Sequence, residues 1–307
     1  MIIRGFAQLA DELSAAGGRR PALAVAGAGE PQVLAAVIRA AGRGLLDYLL
    51  VGQPAPINAA ARAAGASLDP SRIVAADGDD TAACAVRLVR EGRAQLLMKG
   101  NISSSALLRQ AVDRERGLRG PALMTHIAAL QLPAYHKLMF YSDGGVIPHP
   151  DLAKKRIILD NALQFARRLG YARPKVALLT AAEQLYADDA ASADAAELAR
   201  QCAAGEHGVC DAAGPISFDL ATAPEAARRK DYRSPVAGDA DILITPDIHA
   251  GNLLGKALTY FGGALMAGLV MGARVPIVMA SRGCDCDEQY YSIILALRML
   301  QAEQQGR

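Results

Sequence analysis

The residue types best suited to chemistry lie near the C-terminal end of the chain, directly after an apolar run at 275–280. They provide a hydroxyl, a guanidinium and three carboxylates: Ser281, Arg282, Asp285, Asp287 and Glu288. Because ligands of open α/β sheets bind beyond the carboxyl ends of the strands, this pattern predicts a site at a strand end. A guanidinium there suits phosphate, since its planar fork can bind two phosphate oxygens at once.

A second group of polar residues follows another apolar run, 95–98. Lys99 and Gly100 open a loop, and Ser103 and Ser104 precede a predicted helix. An ammonium, two hydroxyls and the unpaired backbone N–H groups of a helix start come together here, which favours binding of an anion. The competing interpretation is that one serine only caps the helix.

Polar side chains in two further segments could also line a site. His126 stands within an apolar run, where a histidine is more often a hydrogen-bonded core residue than a catalyst. Asn252 follows Asp247 and His249 in a segment between a predicted strand and a predicted helix. Asp247 and Asn252 could cap that helix, and the same segment could line a substrate cleft.

Two other motifs suggest chemistry that the sequence does not complete. Cys284 and Cys286 have the C-x-C spacing of half a zinc site, but no second pair has a matching spacing, so we expect no metal. Gly27 and Gly29 end the first predicted strand, yet the third glycine of a dinucleotide fingerprint is missing. We interpret these glycines as a tight turn into a helix that begins with Pro31.

Composition excludes several classes of protein. The chain has 33 basic and 31 acidic residues and a net charge of +2, so no global field attracts nucleic acid or an anionic membrane. Its longest apolar stretch, 262–280, is interrupted by Arg274 and Pro276, and we expect no membrane span. The N-terminal segment lacks the pattern of a signal peptide, and five cysteines, an odd number, favour reduced thiols. We therefore expect a cytoplasmic protein.

Short apolar runs alternate with longer helical patterns along the chain. Strands are predicted at 22–26, 46–51, 73–75, 95–98, 122–132, 137–141, 175–179, 241–245, 265–271 and 275–280. Helices are predicted at 31–41, 55–64, 81–90, 151–170, 193–204 and 287–304. The last helix carries Ile293, Leu297 and Leu300 on one apolar stripe. This alternation predicts two α/β domains with mainly parallel sheets.

Four segments, in this order and spacing, resemble the phosphate acetyltransferase / phosphate butyryltransferase family. They are Leu-Met-Lys-Gly-Asn from Leu97, Ser-Pro-Val-Ala-Gly-Asp-Ala-Asp-Ile-Leu from Ser234, Pro-Asp-Ile-His-Ala-Gly-Asn from Pro246 and Ala-Ser-Arg-Gly from Ala280. The resemblance implies an isocitrate/isopropylmalate-dehydrogenase-like pair of α/β domains with the active site in the interdomain cleft. We expect residues 1–141 and 273–307 to form the first domain and 142–272 the second.

The resemblance also implies an acyl-transfer reaction, in which acyl-CoA and phosphate are exchanged for acyl phosphate and coenzyme A. Coenzyme A is then a substrate, and no cofactor is expected. In the family a carboxylate seven residues after the serine of Ser-Arg removes the thiol proton of coenzyme A, and that position is Glu288 here. The acetyl branch has Asp at this position, so the neighbouring Asp287 competes for the role.

Further roles follow from the resemblance. Arg282 would bind the phosphoryl oxygens, and Ser281 would donate a hydrogen bond to the carbonyl oxygen as it becomes an oxyanion. The residues expected to contact substrate are Lys99, Ser103, Ser104, Arg109, His126 and Asn252. We expect the protein to be a homodimer.

Two alternatives and one detail of the substrate remain open. A protein that binds coenzyme A or acyl phosphate without turnover would be compatible with Glu288 in place of Asp. A nicotinamide-dependent hydroxy-acid dehydrogenase would share the architecture, but the incomplete glycine fingerprint opposes it. The acyl chain length is undetermined, because Leu-Met-Lys-Gly is typical of the butyryl branch and Ser-Arg-Gly-Cys of the acetyl branch.

Overall fold

The computed structural model describes residues 3–18, 20–78, 80–186, 188–281 and 284–306. The helices are α1 (Phe6–Ala16), α2 (Pro31–Gly42), α3 (Pro54–Ala63), α4 (Asp80–Arg90), α5 (Ser104–Ala111), α6 (Leu152–Arg168), α7 (Ala190–Ala203), α8 (Phe218–Thr222), α9 (Pro224–Arg229), α10 (Ile248–Tyr260) and α11 (Cys286–Gln304). The strands are β1 (Ala22–Ala26), β2 (Asp47–Gly52), β3 (Ile73–Ala75), β4 (Leu96–Lys99), β5 (Thr125–Gln131), β6 (Met139–Ser142), β7 (Lys175–Leu179), β8 (Asp211–Ile216), β9 (Ile242–Ile244), β10 (Leu265–Met271) and β11 (Ile277–Val278).

Contacts divide the chain into two compact units. The first unit contains Phe6–Met124 and Ala267–Gln305, and the second contains Thr125–Met266 with the chain ends. In the first unit the strand order is β3-β2-β1-β4-β11-β10, with all pairs parallel except β10 with β11. The helices that connect its parallel strands make this the α/β arrangement that the alternating sequence pattern predicts, which confirms the fold class.

The second unit has the strand order β5-β6-β9-β7-β8. The pair β5 and β6 is antiparallel, and the remaining neighbours are parallel. Edge strand β8 was not predicted from the sequence, because it contains Gly214 and Pro215, which are uncommon inside strands. An edge strand pairs on one side only, so it tolerates a residue that cannot donate a backbone hydrogen bond.

Several helices begin where the sequence predicts, and each start has a local cause. Pro31 and Pro54 stand in the first turns of α2 and α3, where a missing backbone N–H costs nothing. Asp151 and Asp247 cap α6 and α10, and their carboxylates accept hydrogen bonds from backbone N–H groups at 2.9 Å. The prediction that Asp247 caps its helix is thus confirmed, whereas Asn252 lies inside α10.

Two details of the predicted elements near the C-terminus were wrong. The strand expected at 275–280 is reduced to β11, which begins only after Pro276, since a proline has no N–H with which to extend the pairing. The single apolar stripe expected on α11 is also wrong, because Ile294, Leu295 and Met299 are fully buried outside it and Leu300 is only half-buried. Helices α1 and α2 both contact α11, so most of its middle is covered.

In the second unit a buried lysine forms ion pairs close to the first residues of several strands. The Lys137 ammonium is 2% exposed and lies 2.7 Å from an Asp239 oxygen and 2.6 Å from an Asp241 oxygen. Lys175 makes a further ion pair with Asp239 at 2.5 Å. Partial burial of Asp239 opposes its ionisation, but hydrogen bonds from Lys137 and Lys175 overcome this and lower the pKa of Asp239 to about 2. In each ion pair the attraction between the opposite charges compensates for the hydration that both groups lose on burial.

We expect Lys137→Met to destabilise the fold by about 3–5 kcal/mol, because it leaves the buried Asp241 without its cation. Lys154→Met is the matched control: the Lys154 and Asp151 side chains are 44% and 63% exposed, and losing this pair should change stability little. Urea denaturation of both variants provides the measurement. Equal losses in the two variants would contradict the assignment.

The stability of the fold should also depend on pH through Asp239. Because the pKa of Asp239 is lowered in the fold, its contribution to the free energy of unfolding is present above about pH 4 and should disappear as the pH falls towards 2.

Candidate active site

The loop after β4 is held by a close approach of two backbones. The N–H of Gly100 donates to the Ala26 carbonyl at 2.8 Å, and the N–H of Asn101 donates to the Gly27 carbonyl at 2.7 Å. A Cβ at Gly100 would lie 2.3 Å from the Gly27 oxygen, so no larger residue fits. Gly27 itself has φ +78°, a conformation that glycine adopts readily. This approach fixes where β4 ends and therefore where Lys99 stands.

Lys99 is buried at the end of β4, with 3% of the residue exposed. Its Nζ donates to the Gly100 carbonyl at 3.3 Å. Four residues further on, Ser103 caps α5, and its Oγ accepts from the Ala106 N–H at 3.0 Å. Ser103 therefore caps the helix, and a contact of Ser103 with substrate stays a prediction. Ser104 is the first residue of α5 and is half-exposed.

Arg109 lies in the last turn of α5 and is exposed to solvent. It is therefore at the opposite end of this helix from the capping serine. The structure places Lys99, Ser103 and Ser104 along one loop, with Arg109 more than one helical turn away. A contact between Arg109 and a substrate stays a prediction.

The two candidate bases at the start of α11 have different environments. Asp285 caps this helix, and its carboxylate accepts from the Glu288 N–H at 2.8 Å. Glu288 is buried, with 7% of the residue exposed. Asp287 has a side chain that is 54% exposed and makes an ion pair with Arg39 of α2 at 2.5 Å. Arg39 also stacks on the Tyr290 ring, with its Cζ 4.0 Å from the ring centroid, which fixes the guanidinium.

The pKa of the Cys284 thiol depends on the charged groups near the start of α11. Its Sγ is buried and accepts a hydrogen bond from the Gln289 Nε2 at 3.0 Å. Burial, followed by the negative charges of Glu288, Glu30 and Asp285, raises the pKa of Cys284 to about 12, while Lys99 acts in the opposite direction. The carboxylate of Glu288 and the ammonium of Lys99 therefore both act on this thiol. At neutral pH the thiol stays protonated, which makes it a poor nucleophile.

The remaining residues of the predicted C-terminal site are only partly described. Ser281 is exposed and follows the buried Met279 and Ala280. Arg282, to which we assign phosphate binding, lies outside the described residues. In the part of the chain that the structure describes, no group of three or more His, Cys, Asp or Glu side chains could hold a metal ion. The expectation that the site uses no metal stays a prediction.

A pocket of about 240 Å³ opens at the carboxyl ends of the parallel strands of the first unit. It is lined by the turns after β1, β2 and β3 and by Asn101 and Ile102 from the loop after Lys99. This is the edge at which open α/β sheets bind ligands. A larger cavity of about 640 Å³ lies among the segments that precede β1 and β4, at the opposite ends of the strands, and none of the predicted site residues lines it.

In the second unit, a buried carboxylate organises the surroundings of His126. Asp143 is 2% exposed, and its oxygens accept hydrogen bonds from the N–H groups of His126 at 2.9 Å, Gly145 at 2.7 Å and Val146 at 2.8 Å. A Cβ at Gly145 would lie 3.0 Å from the His126 ring, so the turn covers the imidazole closely. His126 is 9% exposed.

Asn252 joins this cluster from α10, since its Nδ2 donates to the Gly144 carbonyl at 3.3 Å. A Cβ at Gly251 would lie 2.5 Å from the Asp143 carbonyl oxygen, so helix and turn are in direct contact. The rings of His149 and His249 lie beside each other with centroids 5.7 Å apart, and both residues are exposed. The structure thus brings His126 and Asn252 to one turn, which Asp143 holds.

Comparison with known proteins connects these two groups of residues to one family. The family model described as phosphate acetyl/butaryl transferase matches residues 74–297. The chain belongs to this family. The predicted family resemblance is therefore confirmed, and the match includes Lys99, His126, Asn252 and Glu288.

Individual relatives agree with the family assignment. A probable phosphate butyryltransferase of Bacillus subtilis (strain 168) is 36% identical over 278 residues, which cover 90% of this chain and 92% of the relative. A phosphate acetyltransferase of Rhizobium meliloti is 39% identical over 252 residues, which cover 81% of this chain and 79% of the relative. The crystal structure of a branched-chain phosphotransacylase from Enterococcus faecalis V583 matches with a TM-score of 0.79 and 32% identity, covering 91% of this chain and 99% of that one.

Two residues near the candidate site of this family member were not found from the sequence. Glu30 precedes α2 and acts on the Cys284 thiol, and Arg39 of α2 binds Asp287. Both lie outside the segment that the family model matches. The sequence Glu30-Pro31 indicates that a helix starts there. It does not indicate that Glu30 lies near α11, because that depends on the packing of α2 against α11.

We expect the double variant Cys284→Ser and Cys286→Ser to keep turnover within about tenfold, roughly 1.4 kcal/mol, because burial raises the pKa of both thiols and neither supplies a thiolate. A serine hydroxyl can replace the thiol as acceptor for Gln289. The assay is release of free thiol from an acyl-CoA in the presence of phosphate. Inactivation of the double variant with an unchanged circular dichroism spectrum would contradict this view, as would stoichiometric zinc in the purified protein.

Proposed function

We propose that this protein exchanges a short-chain acyl group between coenzyme A and inorganic phosphate, with Glu288 as the base. Family membership supports the reaction. The observation that supports the assignment of the base is the burial of the Glu288 carboxylate at the start of α11, near the Cys284 thiol on which Lys99 also acts.

In the direction that forms acyl-CoA, the coenzyme A thiol must lose its proton before it attacks the acyl phosphate. An ordinary thiol has a pKa of about 8.5 and is mostly protonated at neutral pH. Glu288 accepts this proton, the sulfur forms a bond to the acyl carbon, and the carbon–oxygen bond to phosphate breaks. In the reverse direction phosphate attacks the thioester, and Glu288 returns the proton to the departing thiolate.

Cationic and hydroxyl groups complete the proposed site. Arg282 binds two phosphoryl oxygens and Lys99 supplies a second positive charge. Ser281 donates a hydrogen bond to the oxyanion that forms on the acyl carbonyl. No covalent enzyme intermediate is needed, because holding the two substrates together provides much of the rate acceleration.

The remaining candidates are assigned to substrate binding. Ser104 begins α5, where backbone N–H groups can bind an anion, and the capping of that start by Ser103 keeps those groups in place. Arg109 adds an exposed positive charge at the other end of the same helix. We assign His126 and Asn252 to substrate contact as well, and the support is that both lie at one turn, which Asp143 orders.

Asp287 is the weaker candidate for the base. Its carboxylate is engaged in an ion pair with Arg39, and the side chain is more than half exposed. Successive residues of an α-helix point about 100° apart, so Asp287 and Glu288 cannot share one direction. The carboxylate of Asp287 is directed to α2 instead, where it helps to join α2 and α11.

We expect Glu288→Gln to lower turnover by roughly 10²–10⁴-fold, because the amide keeps the size of the side chain but cannot accept the thiol proton. Glu288→Asp should retain more activity, as the acetyl branch carries Asp at this position. Asp287→Asn is the control and should have a much smaller effect. The measurement is the pH dependence of turnover with saturating acyl-CoA. If Asp287→Asn removes the acidic limb and Glu288→Gln leaves it, the two roles are exchanged.

The reaction itself is tested with acetyl-CoA, propionyl-CoA and butyryl-CoA, each with and without phosphate. We expect thiol release that requires phosphate and differs among the three acyl chains, which also settles the chain length. A protein that only binds coenzyme A would show a ligand-dependent rise in melting temperature without thiol release. That outcome would overturn the proposed reaction.

Assembly and location belong to the same proposal. We propose a homodimer, and the support is an exposed apolar surface on α10 and the residue that follows it: Leu253 is 68% exposed, Tyr260 79% and Phe261 95%. Light scattering should give a dimeric mass, which Phe261→Ser should reduce.

We place the enzyme in the cytoplasm and propose that it needs no cofactor. Among the described residues, no helix is long and apolar enough to cross a membrane.

A further inference from the structure

The larger cavity of the first unit lies at the amino ends of its strands. It has a volume of about 640 Å³ and lies among α1, the segments before β1 and β4, the turn after α2 and the last turns of α11. Sites for small molecules commonly enclose about 300–1,000 Å³, so this volume suits a ligand of that kind. The described lining residues all belong to the first unit, so a single unit forms the cavity.

Part of the lining is apolar. Leu13 comes from α1, Leu45 from the segment between α2 and β2, and Leu297 and Leu300 from α11. Leu297 is buried and the other three leucines are half-buried, so the packing of the surrounding elements holds these side chains in place. A ligand that covered them would remove apolar surface from water, which favours binding.

The charged groups of the lining are two guanidinium groups. Arg20 precedes β1 and Arg43 follows α2, and no carboxylate stands among the described residues that line the cavity. A Cβ at Gly44 would lie 3.1 Å from the Arg20 Nη2, so the Arg20 guanidinium lies against the backbone of the residue that follows Arg43. The two arginines are therefore neighbours in the fold, and their charges favour an anion.

Contacts to two helices hold Arg43 in position. Its Nη1 donates to the Tyr290 hydroxyl of α11 at 3.0 Å, and its Nη2 donates to the Asp11 carboxylate of α1 at 2.8 Å. A guanidinium carries more N–H groups than these two contacts use, so further ones can donate to a ligand. The Asp11 side chain is 74% exposed, so water weakens its effect on the charge of Arg43. Arg20 adds a second positive charge.

Uncharged amides make up most of the remaining polar lining. They belong to Gln95, Gln301, Gln304 and Gln305. An amide can donate to an anion without opposing its charge. Gln304 is exposed in the last turn of α11, so a charge introduced there acts at the cavity without entering the core.

We propose that this cavity binds a small amphipathic anion, a carboxylate or a phosphate monoester that carries an apolar chain. Arg20 and Arg43 bind the acidic group, because the planar fork of a guanidinium matches the oxygens of either acid. The leucines of α1 and α11 contact the apolar chain. This site is separate from the candidate active site, which lies at the carboxyl ends of the strands, and it does not depend on the proposed reaction.

The experiment titrates the full chain with octanoate, octyl phosphate and uncharged n-octanol by isothermal titration calorimetry. Each titration is repeated with saturating coenzyme A and phosphate. We expect at least one of the two anions to bind with a millimolar or lower Kd that coenzyme A and phosphate leave unchanged, and the tighter anion identifies the acidic group. The alcohol should bind at least about tenfold more weakly, because it cannot form a charged hydrogen bond. Failure of both anions to bind, or their displacement by coenzyme A and phosphate, would overturn the proposal.

Variants that change one charge locate the bound anion. Arg20→Gln should weaken binding at least about tenfold, Gln304→Glu should also weaken it, and Gln304→Lys should strengthen it. Both positions are exposed, so the circular dichroism spectra should not change. The matched control is Arg62→Gln, which alters an exposed arginine of α3 outside the described lining and should bind like the unmodified protein. Unchanged affinity in Arg20→Gln, or a shift in the same direction in both Gln304 variants, would contradict the site.

Discussion

The close approach of the Gly27 and Gly100 backbones is the constraint on which the candidate site depends. Two hydrogen bonds join the end of β1 and Gly27 to the residues that follow β4, and the space between the two backbones admits no side chain at Gly100. Lys99 is the last residue before this contact, and the loop to the start of α5 begins directly after it. β11 pairs with β4 on the other side, so the segment leading to α11 leaves the sheet at the same edge. An insertion here would shift both polar groups of the first unit.

The start of α11 separates two carboxylates that are adjacent in sequence. Capping by Asp285 sets the first turn of the helix, and Glu288 is then buried while Asp287 faces Arg39. Two adjacent residues of one helix thereby differ in their exposure to solvent, which their positions in the sequence do not show.

Some of the residues that carry the family resemblance serve the fold of the second unit. Asp239 and Asp241 belong to the segment from Ser234, and both bind the buried Lys137. Asp143 uses its carboxylate to hold three backbone N–H groups, and its carbonyl accepts from the Thr245 hydroxyl at 3.1 Å. Acidic residues in a family motif are therefore not all catalytic, and burial with specific partners distinguishes the structural ones.

The sequence by itself determined the elements whose causes are local. Pro31 and Asp151 start helices through their own backbone or side-chain chemistry, and the apolar runs of β1 and β7 are strands with the predicted bounds. The motif spacing also selected Glu288 as the base, and that assignment stays a prediction. Only the tertiary structure decided which residues meet across distant segments. Arg39 reaches Asp287 because α2 packs on α11, and α11 is buried around most of its circumference because α1 covers it as well. Such contacts join residues that no local pattern relates, since they arise from burying apolar faces against one another.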